Sequence, residues 1–211
     1  MKKKESIFQL LSQKPWDPNQ AKIDDLHQGE TLNITKGKLG LRFVMVVSTI
    51  FFCLFIVTYS DRMVFGDWQV MPEPPLLWLN TFVLILCSAS FISAHLLAKK
   101  NNFIKVKNRL ITAGILTLVF LVGQLIVWGQ LIKSGYYISS NPANAYFYVF
   151  TALHGLHLLG GLVYWLMTIK KVWIVSDIVV ANVKHTVELC AIYWHFLLIV
   201  WIVLFCLMLL T

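Results

Sequence analysis

Five long, uncharged and mainly apolar runs alternate with short charged segments along the chain. The runs cover residues 43–60, 74–98, 110–132, 134–169 and 189–211. Each is close to or above the roughly 18 apolar residues that mark a membrane-spanning helix. The pattern therefore predicts an all-α membrane protein, built as a bundle of five transmembrane helices.

Charges, prolines and glycines set the expected ends of these helices. We expect the helices at about residues 39–60, 76–98, 110–132, 143–169 and 186–210. Gly135 and the pair Asn141-Pro142 divide the longest run, because glycine and proline interrupt helices or begin new ones. Residues 1–37 are polar and contain Pro15 and Pro18. They are predicted to form an extended tail before a transmembrane domain of residues 38–211.

The composition excludes a soluble globular protein. Hydrophobic residues make up 58% of the 211 residues and charged residues 13%, against about 25% charged residues in a typical soluble domain. Five helices of about 20 residues use roughly half of the chain. This leaves no room for a separate catalytic domain, so any chemistry must take place in or beside the bilayer.

The distribution of basic residues predicts the orientation. All but two of the 18 lysines and arginines lie before residue 43, in the loop after the second helix or in the loop after the fourth helix. The other two loops contain only Arg62 and Lys133. By the positive-inside rule, the N-terminus is expected in the cytoplasm and the C-terminus in the periplasm. The basic excess is thus explained by topology, and no nucleic-acid partner is expected.

Polar and ionisable side chains inside the spans are the candidates for function, because each is costly in a bilayer and needs a partner. They are His95, Gln124, His154, His157, Glu188 and His195. His154 and His157 are three residues apart and Glu188 and His195 seven apart, so the members of each pair are expected on one helix face. Counted along their helices, His157 and His195 come to a similar depth and could face each other.

These residues by themselves leave several hypotheses open. Histidines from neighbouring helices at matched depth could ligate haem, and His154, His157, His195 and Glu188 could relay protons. They could also form interhelical hydrogen bonds and contact lipid headgroups, as polar residues in helix bundles do. Copper is disfavoured because the methionines do not cluster with the histidines. The four cysteines lack metal-site spacing, so no metal site is predicted.

Two longer motifs resemble a known family. Residues 151–157 read Thr-Ala-Leu-His-Gly-Leu-His and resemble the Thr-Gly-x-His-Gly-x-His signature of subunit III of haem-copper terminal oxidases. Glu188, followed by Tyr-Trp-His-Phe at 193–196 and Val-Trp at 200–201, is similar to a second signature of that family. Asn-Thr at 80–81 and Ala-His at 94–95 resemble the family's second helix. The resemblance covers residues 38–211 and leaves out the tail.

The resemblance implies a five-helix subunit III of the bacterial type, located in the plasma (inner) membrane. It implies no catalytic residue and no redox centre in this chain, since haem and copper would lie in the partner subunits. The expected partners are the catalytic subunit I, the copper-bearing subunit II, a small subunit IV and phospholipids, with a respiratory supercomplex as a further assembly. Members of the family hold lipid, stabilise the core and support proton uptake by the neighbouring subunit. By this resemblance the polar residues serve lipid binding or interhelical contact: His95, His154, His157, Glu188, Trp194 and His195.

The chain departs from the family pattern at three carboxylates. Ser48, Val127 and Leu198 stand where the family has acidic residues. The hypothesis is therefore a non-redox subunit III of a proton-pumping cytochrome c oxidase. The alternatives are a similar companion of a quinol oxidase or nitric oxide reductase, a free-standing transporter and a b-type cytochrome.

Overall fold

The computed structural model describes residues 36–72, 74–173 and 180–209. They form five helices, α1 (Lys36–Arg62), α2 (Leu76–Lys99), α3 (Phe103–Lys133), α4 (Pro142–Trp173) and α5 (Val180–Leu209). All five are long and apolar enough to cross a bilayer, which confirms the predicted all-α membrane protein with five spans. The predicted tail of residues 1–37 lies almost entirely outside the described residues.

The third helix begins about seven residues earlier than expected. The side chain of Asn102 accepts a hydrogen bond from the backbone N–H of Lys105 at 3.3 Å and so caps α3. Val106 and Leu110, one turn apart, are fully buried, so packing favours a helical start to this basic segment. At 31 residues, α3 is about 46 Å long. Because the hydrocarbon core is about 30 Å thick, the basic residues lie on the helix beyond its apolar part.

The break between α3 and α4 is set by Gly135 and Asn141. Gly135 has a φ of +88°, and the N–H of Tyr136 bonds back to the carbonyl of Leu131 at 3.0 Å, an arrangement typical of a helix C-terminus that ends in glycine. The side-chain oxygen of Asn141 accepts the N–H of Ala143 at 3.2 Å. Pro142 occupies the first helical position, where its missing N–H costs nothing.

Residue contacts divide the chain into residues 1–40 and residues 41–211, and the packing described here is that of the second unit. Within it, α2 packs against α3 and α5, and α4 also packs against α3 and α5. These four helices therefore form a closed ring around an aromatic core. In that core, Phe120 meets Trp201 edge to face with ring centroids 5.0 Å apart, a favoured geometry for aromatic pairs.

Helix α1 lies outside this ring. Only 11% of the residues in its apolar 18-residue stretch are buried. Its buried apolar side chains, Phe52 and Tyr59, join a second apolar cluster with Phe150 of α4 and Leu204 of α5. The rest of its apolar surface is therefore open to lipid or to another chain.

The loops after α1 and α3 meet at one end of the bundle, called here the Asn141 end. The amide of Asn141 accepts from the backbone N–H of Gln69 and donates to the backbone carbonyl of the same residue. Arg62 binds the carboxylate of Asp67 through both of its terminal nitrogens. The hydrogen bonds from Arg62 hold the pKa of Asp67 below its usual range. Both loops are thus held in place by side chains rather than by a regular sheet.

Candidate functional site

His95, Glu188 and His195 lie along one seam between α2 and α5. Nδ1 of His195 is 2.5 Å from the hydroxyl of Ser88. His95 interacts electrostatically with Glu188 and with His195. The structure therefore places three of the predicted residues in one half-buried polar line, which continues toward the Lys99 end of the bundle through His185, 3.7 Å from Glu188.

His157 lies instead at the junction of α1 and α4. Its Nδ1 is 2.8 Å from the carbonyl of Leu153 and its Nε2 is 3.0 Å from the hydroxyl of Ser48. Because a carbonyl oxygen only accepts hydrogen bonds, Nδ1 must carry the proton. In the neutral ring Nε2 then accepts from the Ser48 hydroxyl, so the tautomer is fixed by the surrounding structure.

His154 has entirely different surroundings. It is fully buried and its ring lies 5.0 Å from that of Trp201 and 6.0 Å from that of Phe120. Neither ring nitrogen has a hydrogen-bond partner among the residues that the structure describes. His154 therefore acts in the structure as an aromatic packing residue, although it carries two polar atoms.

The predicted pairings of histidines are not those that the structure forms. His154 and His157 are three residues apart, but a separation of about 60° around the helix is enough to direct them to different neighbours. His157 contacts α1 and His195 contacts α2, so these two do not face each other. The candidates therefore do not form one site: His95, Glu188 and His195 lie together between α2 and α5, whereas His157 and His154 have other neighbours.

Trp194 supports the packing between α2 and α5. Its ring stacks on Phe91 with centroids 4.9 Å apart and planes 13° apart. Its neighbour Tyr193 donates a hydrogen bond to the backbone carbonyl of His157 at 3.1 Å. A side chain at Gly161 would come within 3.0 Å of Tyr193. The Tyr-Trp-His segment thus joins α5 to both α2 and α4.

The sequence analysis missed the two serines that pair with these histidines. Ser48 and Ser88 are both buried, and small polar residues inside apolar spans are typical interhelical hydrogen-bond partners. Ser88 lies seven residues before His95, on the same face of α2. That periodicity was the available signal, but it does not indicate which histidine of another helix the serine meets.

Among the described residues, no group of three or more His, Cys, Asp and Glu side chains is arranged to hold a metal ion. His185 and Glu188 face each other at 3.7 Å, and the hydroxyl partners of His157 and His195 are poor metal ligands. What this arrangement can do chemically is hold helices together and present polar groups to ligands at the membrane.

Grooves between helices lie elsewhere on the surface of the bundle. One of about 410 Å³ runs between α2 and α3 and includes Asn80 and Gly123. Two further clefts, of about 520 and 360 Å³, lie between α3 and α4 and share Trp128 and Ala152. Of the candidate residues, Gln124 lines the cleft of about 360 Å³, whereas the four candidate histidines, Glu188 and Trp194 line none of the three grooves.

Comparison with known proteins gives a consistent result. The family model described as Cytochrome c oxidase subunit III matches residues 7–210. The cytochrome c oxidase subunit 3 of Synechocystis is 30% identical over 171 residues, which are 77% of this chain and 70% of the relative. That of Thermostichus vulcanus is 29% identical over 192 residues, 88% of this chain and 90% of the relative. The cytochrome bo(3) ubiquinol oxidase subunit 3 of Buchnera aphidicola is 27% identical over 181 residues, 83% of this chain and 92% of the relative.

Proposed function

The chain belongs to the cytochrome c oxidase subunit III family, and from that premise we propose that it is the non-redox subunit III of a proton-pumping respiratory cytochrome c oxidase. In this role it supports the assembly, lipid binding and stability of the oxygen-reducing core in the bacterial inner membrane. Its partners are the catalytic subunit I, the copper-bearing subunit II and a small subunit IV. The observation that carries the proposal is the family match across residues 7–210, which includes all five spans.

The contacts of the polar side chains support a structural role. Ser48 and His157 join α1 to α4, Ser88 and His195 join α2 to α5, and Trp201 donates to Thr81 at 3.0 Å. Each pair connects helices that are distant in sequence, as interhelical hydrogen bonds do in membrane bundles. In this proposal haem and copper belong to the partner subunits, and this chain supplies a stable surface for them and for phospholipid.

The exposed apolar surface supports a role in a complex. The outward face of α1 includes Phe43, with 70% of its surface exposed, and Leu54, with 60%. Such a surface must be covered by lipid tails or by an apolar face of another subunit. A peripheral helix with this surface suits a subunit that packs beside a larger membrane-embedded core.

A second candidate is the corresponding subunit of a quinol oxidase. It is favoured by the similarity to the ubiquinol oxidase subunit 3 of Buchnera aphidicola, which covers 83% of this chain. In that case subunit III keeps the same structural role and the catalytic partner takes electrons from a quinol.

The proposal is tested by affinity purification of the tagged full-length chain from native membranes in mild detergent. Copurifying chains are identified by mass spectrometry, and a haem spectrum is recorded on the same eluate. We expect a haem-copper catalytic subunit together with a copper-bearing subunit II. A quinol oxidase core would establish the second candidate, and a nitric oxide reductase core would assign the chain to that complex instead.

Recovery of the chain alone would overturn both proposals. Haem in such an eluate would then point to a b-type cytochrome, and its absence to a free-standing transporter. A tagged membrane protein of unrelated family, purified in parallel, controls for oxidase subunits that adhere to any detergent micelle.

A further inference from the structure

Polar side chains from all four helices of the ring meet at one depth, in what is called here the polar layer. Trp128 of α3 donates to the hydroxyl of Thr151 of α4 at 3.0 Å, and Trp201 of α5 donates to Thr81 of α2. The ring of His154 lies 5.0 Å from that of Trp201, so the two hydrogen-bonded pairs lie within about one turn of each other in depth. The layer consists of Thr81, Gln124, Trp128, Thr151, His154 and Trp201.

Gln124 and His154 occupy facing positions in this layer. Gln124 lies one turn before Trp128 in α3. His154 lies one turn after Thr151 in α4, which runs in the opposite direction as the next span. The hydrogen bond between the two neighbouring turns therefore brings Gln124 and His154 to the same depth. One turn away on the other side of Gln124, the ring of Phe120 lies 6.0 Å from that of His154.

Both of these side chains are buried without a hydrogen-bond partner. Gln124 is 5% exposed and His154 is 0% exposed. Neither amide atom of Gln124 and neither ring nitrogen of His154 is bonded to any residue that the structure describes. Gln124 borders the cleft of about 360 Å³ between α3 and α4, but its amide atoms are themselves buried. Four polar atoms thus lack a protein partner within the bilayer, where an unpaired polar atom is costly.

The chemistry of the four atoms calls for a small neutral occupant. A neutral histidine ring has one donor and one acceptor nitrogen on different edges, and a glutamine amide has an acceptor oxygen and a donor nitrogen. A direct bond between His154 and Gln124 would satisfy only two of the four atoms. The layer contains no Asp, Glu, Lys or Arg, so an ion would lack a counter-charge. Water donates twice and accepts twice, and therefore matches the set.

A cavity of the right size for water lies one turn closer to the Asn141 end. Its volume of about 20 Å³ is enough for one water molecule. Its lining includes Leu77, Phe147 and Phe205, each of which is four residues, about one turn, from a member of the polar layer. Trp68 of the loop after α1 also lines the cavity, and its buried indole N–H has no partner among the described residues. The cavity thus lies between this loop and the polar layer.

We propose that water enters the four-helix ring from the Asn141 end and occupies an outer position beside Trp68 and an inner position between Gln124 and His154. The outer water accepts from the indole N–H of Trp68. At the inner position, water accepts from the Gln124 amide nitrogen and from the protonated ring nitrogen of His154, and donates to the Gln124 oxygen and the other ring nitrogen. Water lowers the cost of burying these atoms without removing it, because an ordered water loses entropy. This hydration goes beyond the proposed function and does not depend on it.

The experiment is X-ray radiolytic footprinting of the full-length chain, with any copurifying subunits, in nanodiscs and in water enriched in the heavy oxygen isotope. Radicals formed from a bound water oxidise the side chains beside it, and mass spectrometry locates the heavy oxygen. The reporter is Phe120, which is 1% exposed and packs on His154. Its matched control is Phe91, which is 0% exposed and stacks on Trp194 outside the layer. We expect heavy oxygen at Phe120 and none above background at Phe91, and equal labelling of the two would overturn the inner position.

A pair of glutamine variants tests the partners of the inner water. Gln124→Leu removes one of them, whereas Gln130→Leu makes the same change at an exposed position of α3. We expect labelling of Phe120 to fall by about half in the first variant, since one of its two polar partners is lost, and to stay at the wild-type level in the second. A variant that failed to fold would be recognised by increased labelling of Phe91. Equal labelling of Phe120 in two folded variants would refute the role of Gln124.

Trp68→Phe tests the outer position, because it keeps an aromatic ring and removes the indole N–H. We expect less heavy oxygen at Phe147 in this variant than in Trp173→Phe, which alters an exposed tryptophan at the opposite end of the bundle. The same labelling of Phe147 in both would contradict the outer position. Recovery of oxidase subunits is measured separately, so the hydration of the ring and the oxidase assignment can fail independently.

Discussion

At the scale of single residues, the structure separates polar side chains that join helices from one that does not. His157 and Ser48 satisfy each other across α1 and α4, with Ser48 only 5% exposed. His154, three residues away, is buried with neither ring nitrogen partnered among the described residues. An unpartnered buried polar group costs about 1–3 kcal/mol. The two histidines of this motif therefore make opposite contributions to stability: the hydrogen bond of His157 stabilises the bundle, and the unpartnered ring nitrogens of His154 destabilise it.

The Ser48–His157 hydrogen bond can be measured by a double-mutant cycle. We expect Ser48→Ala and His157→Phe to show a coupling free energy of unfolding of about 1 kcal/mol, because either change alone removes the same bond. The control cycle pairs Ser48→Ala with His154→Phe, which lies against Phe120 and Trp201, and its coupling should be close to zero. Unfolding is followed by circular dichroism in one detergent. Equal coupling in the two cycles would mean that the bond does not join α1 to α4.

The same contact gives a physical meaning to one departure from the family pattern. Ser48 is one of the positions at which the resemblance implies a carboxylate, and here its hydroxyl donates to His157. A serine makes this bond without placing a charge inside the bilayer, which would cost a few kcal/mol. The loss of the carboxylate is therefore compatible with a structural role of this position.

At the scale of helices, close contact depends on glycine at two places in α3. The indole of Trp165 lies over Gly114, and a Cβ atom added at Gly114 would come within 2.1 Å of the indole ring. The indole N–H of Trp165 donates a hydrogen bond to the carbonyl of Leu110 at 2.8 Å. Asn80 of α2 lies in the same way against Gly123. Small residues let neighbouring helices approach closely where hydrophobic driving force is absent. These contacts hold α3 between α2 and α4.

Gly114→Ala should therefore destabilise the bundle. The added methyl group must displace the Trp165 ring, at a cost of about 1–3 kcal/mol for overpacking. The matched control is Gly129→Ala in the same helix, where an added Cβ meets no heavy atom within 4 Å. That change should be neutral or stabilising by up to about 1 kcal/mol, from helix propensity alone. Thermal unfolding of both variants in the same detergent measures the difference in stability. Similar unfolding midpoints would show that the Trp165 ring can move away from position 114 without a loss of stability.

At the scale of the whole molecule, the four-helix ring and the peripheral helix α1 present different surfaces. The ring encloses the aromatic core, while α1 contacts it mainly through Phe52, Tyr59 and the Ser48 hydrogen bond. The loop segments at 63–72 and 134–141 meet at the Asn141 end, and the lysine-rich ends of α2 and α3 lie at the other. By the positive-inside rule we expect the Asn141 end outside the cell and the N-terminus in the cytoplasm.

This orientation is tested with single cysteines and a membrane-impermeant maleimide. In intact cells Gly66→Cys, in an exposed loop at the Asn141 end, should be labelled, and Lys100→Cys should be labelled only after the membrane is permeabilised. The wild-type chain is the control, because its exposed thiols, Cys53 and Cys206, lie within spans. The reverse labelling pattern would place the N-terminus outside.

The sequence by itself determined the class of fold and the number of spans. A helix in a bilayer must be long and apolar and must satisfy its own backbone, so the five spans are readable from local composition. Motif order likewise indicated the family. The start of α3 was placed too late, because Lys105, Lys107 and Arg109 suggested a loop, whereas Val106, which lies between the two lysines, and Leu110, which follows the arginine, are buried.

Only the tertiary structure decided which side chains meet. Ser48 and His157 are 109 residues apart, and Ser88 and His195 are 107 apart. Whether such residues touch depends on the rotation and tilt of each helix, which are set by packing against all neighbours at once. The clefts between α3 and α4 depend in the same way on how the two helices pack, with the small residues Ala152 and Gly155 in their lining. Hydropathy cannot reveal such partners, because an apolar residue has the same hydropathy whether its side chain faces the inside of the bundle or the lipid.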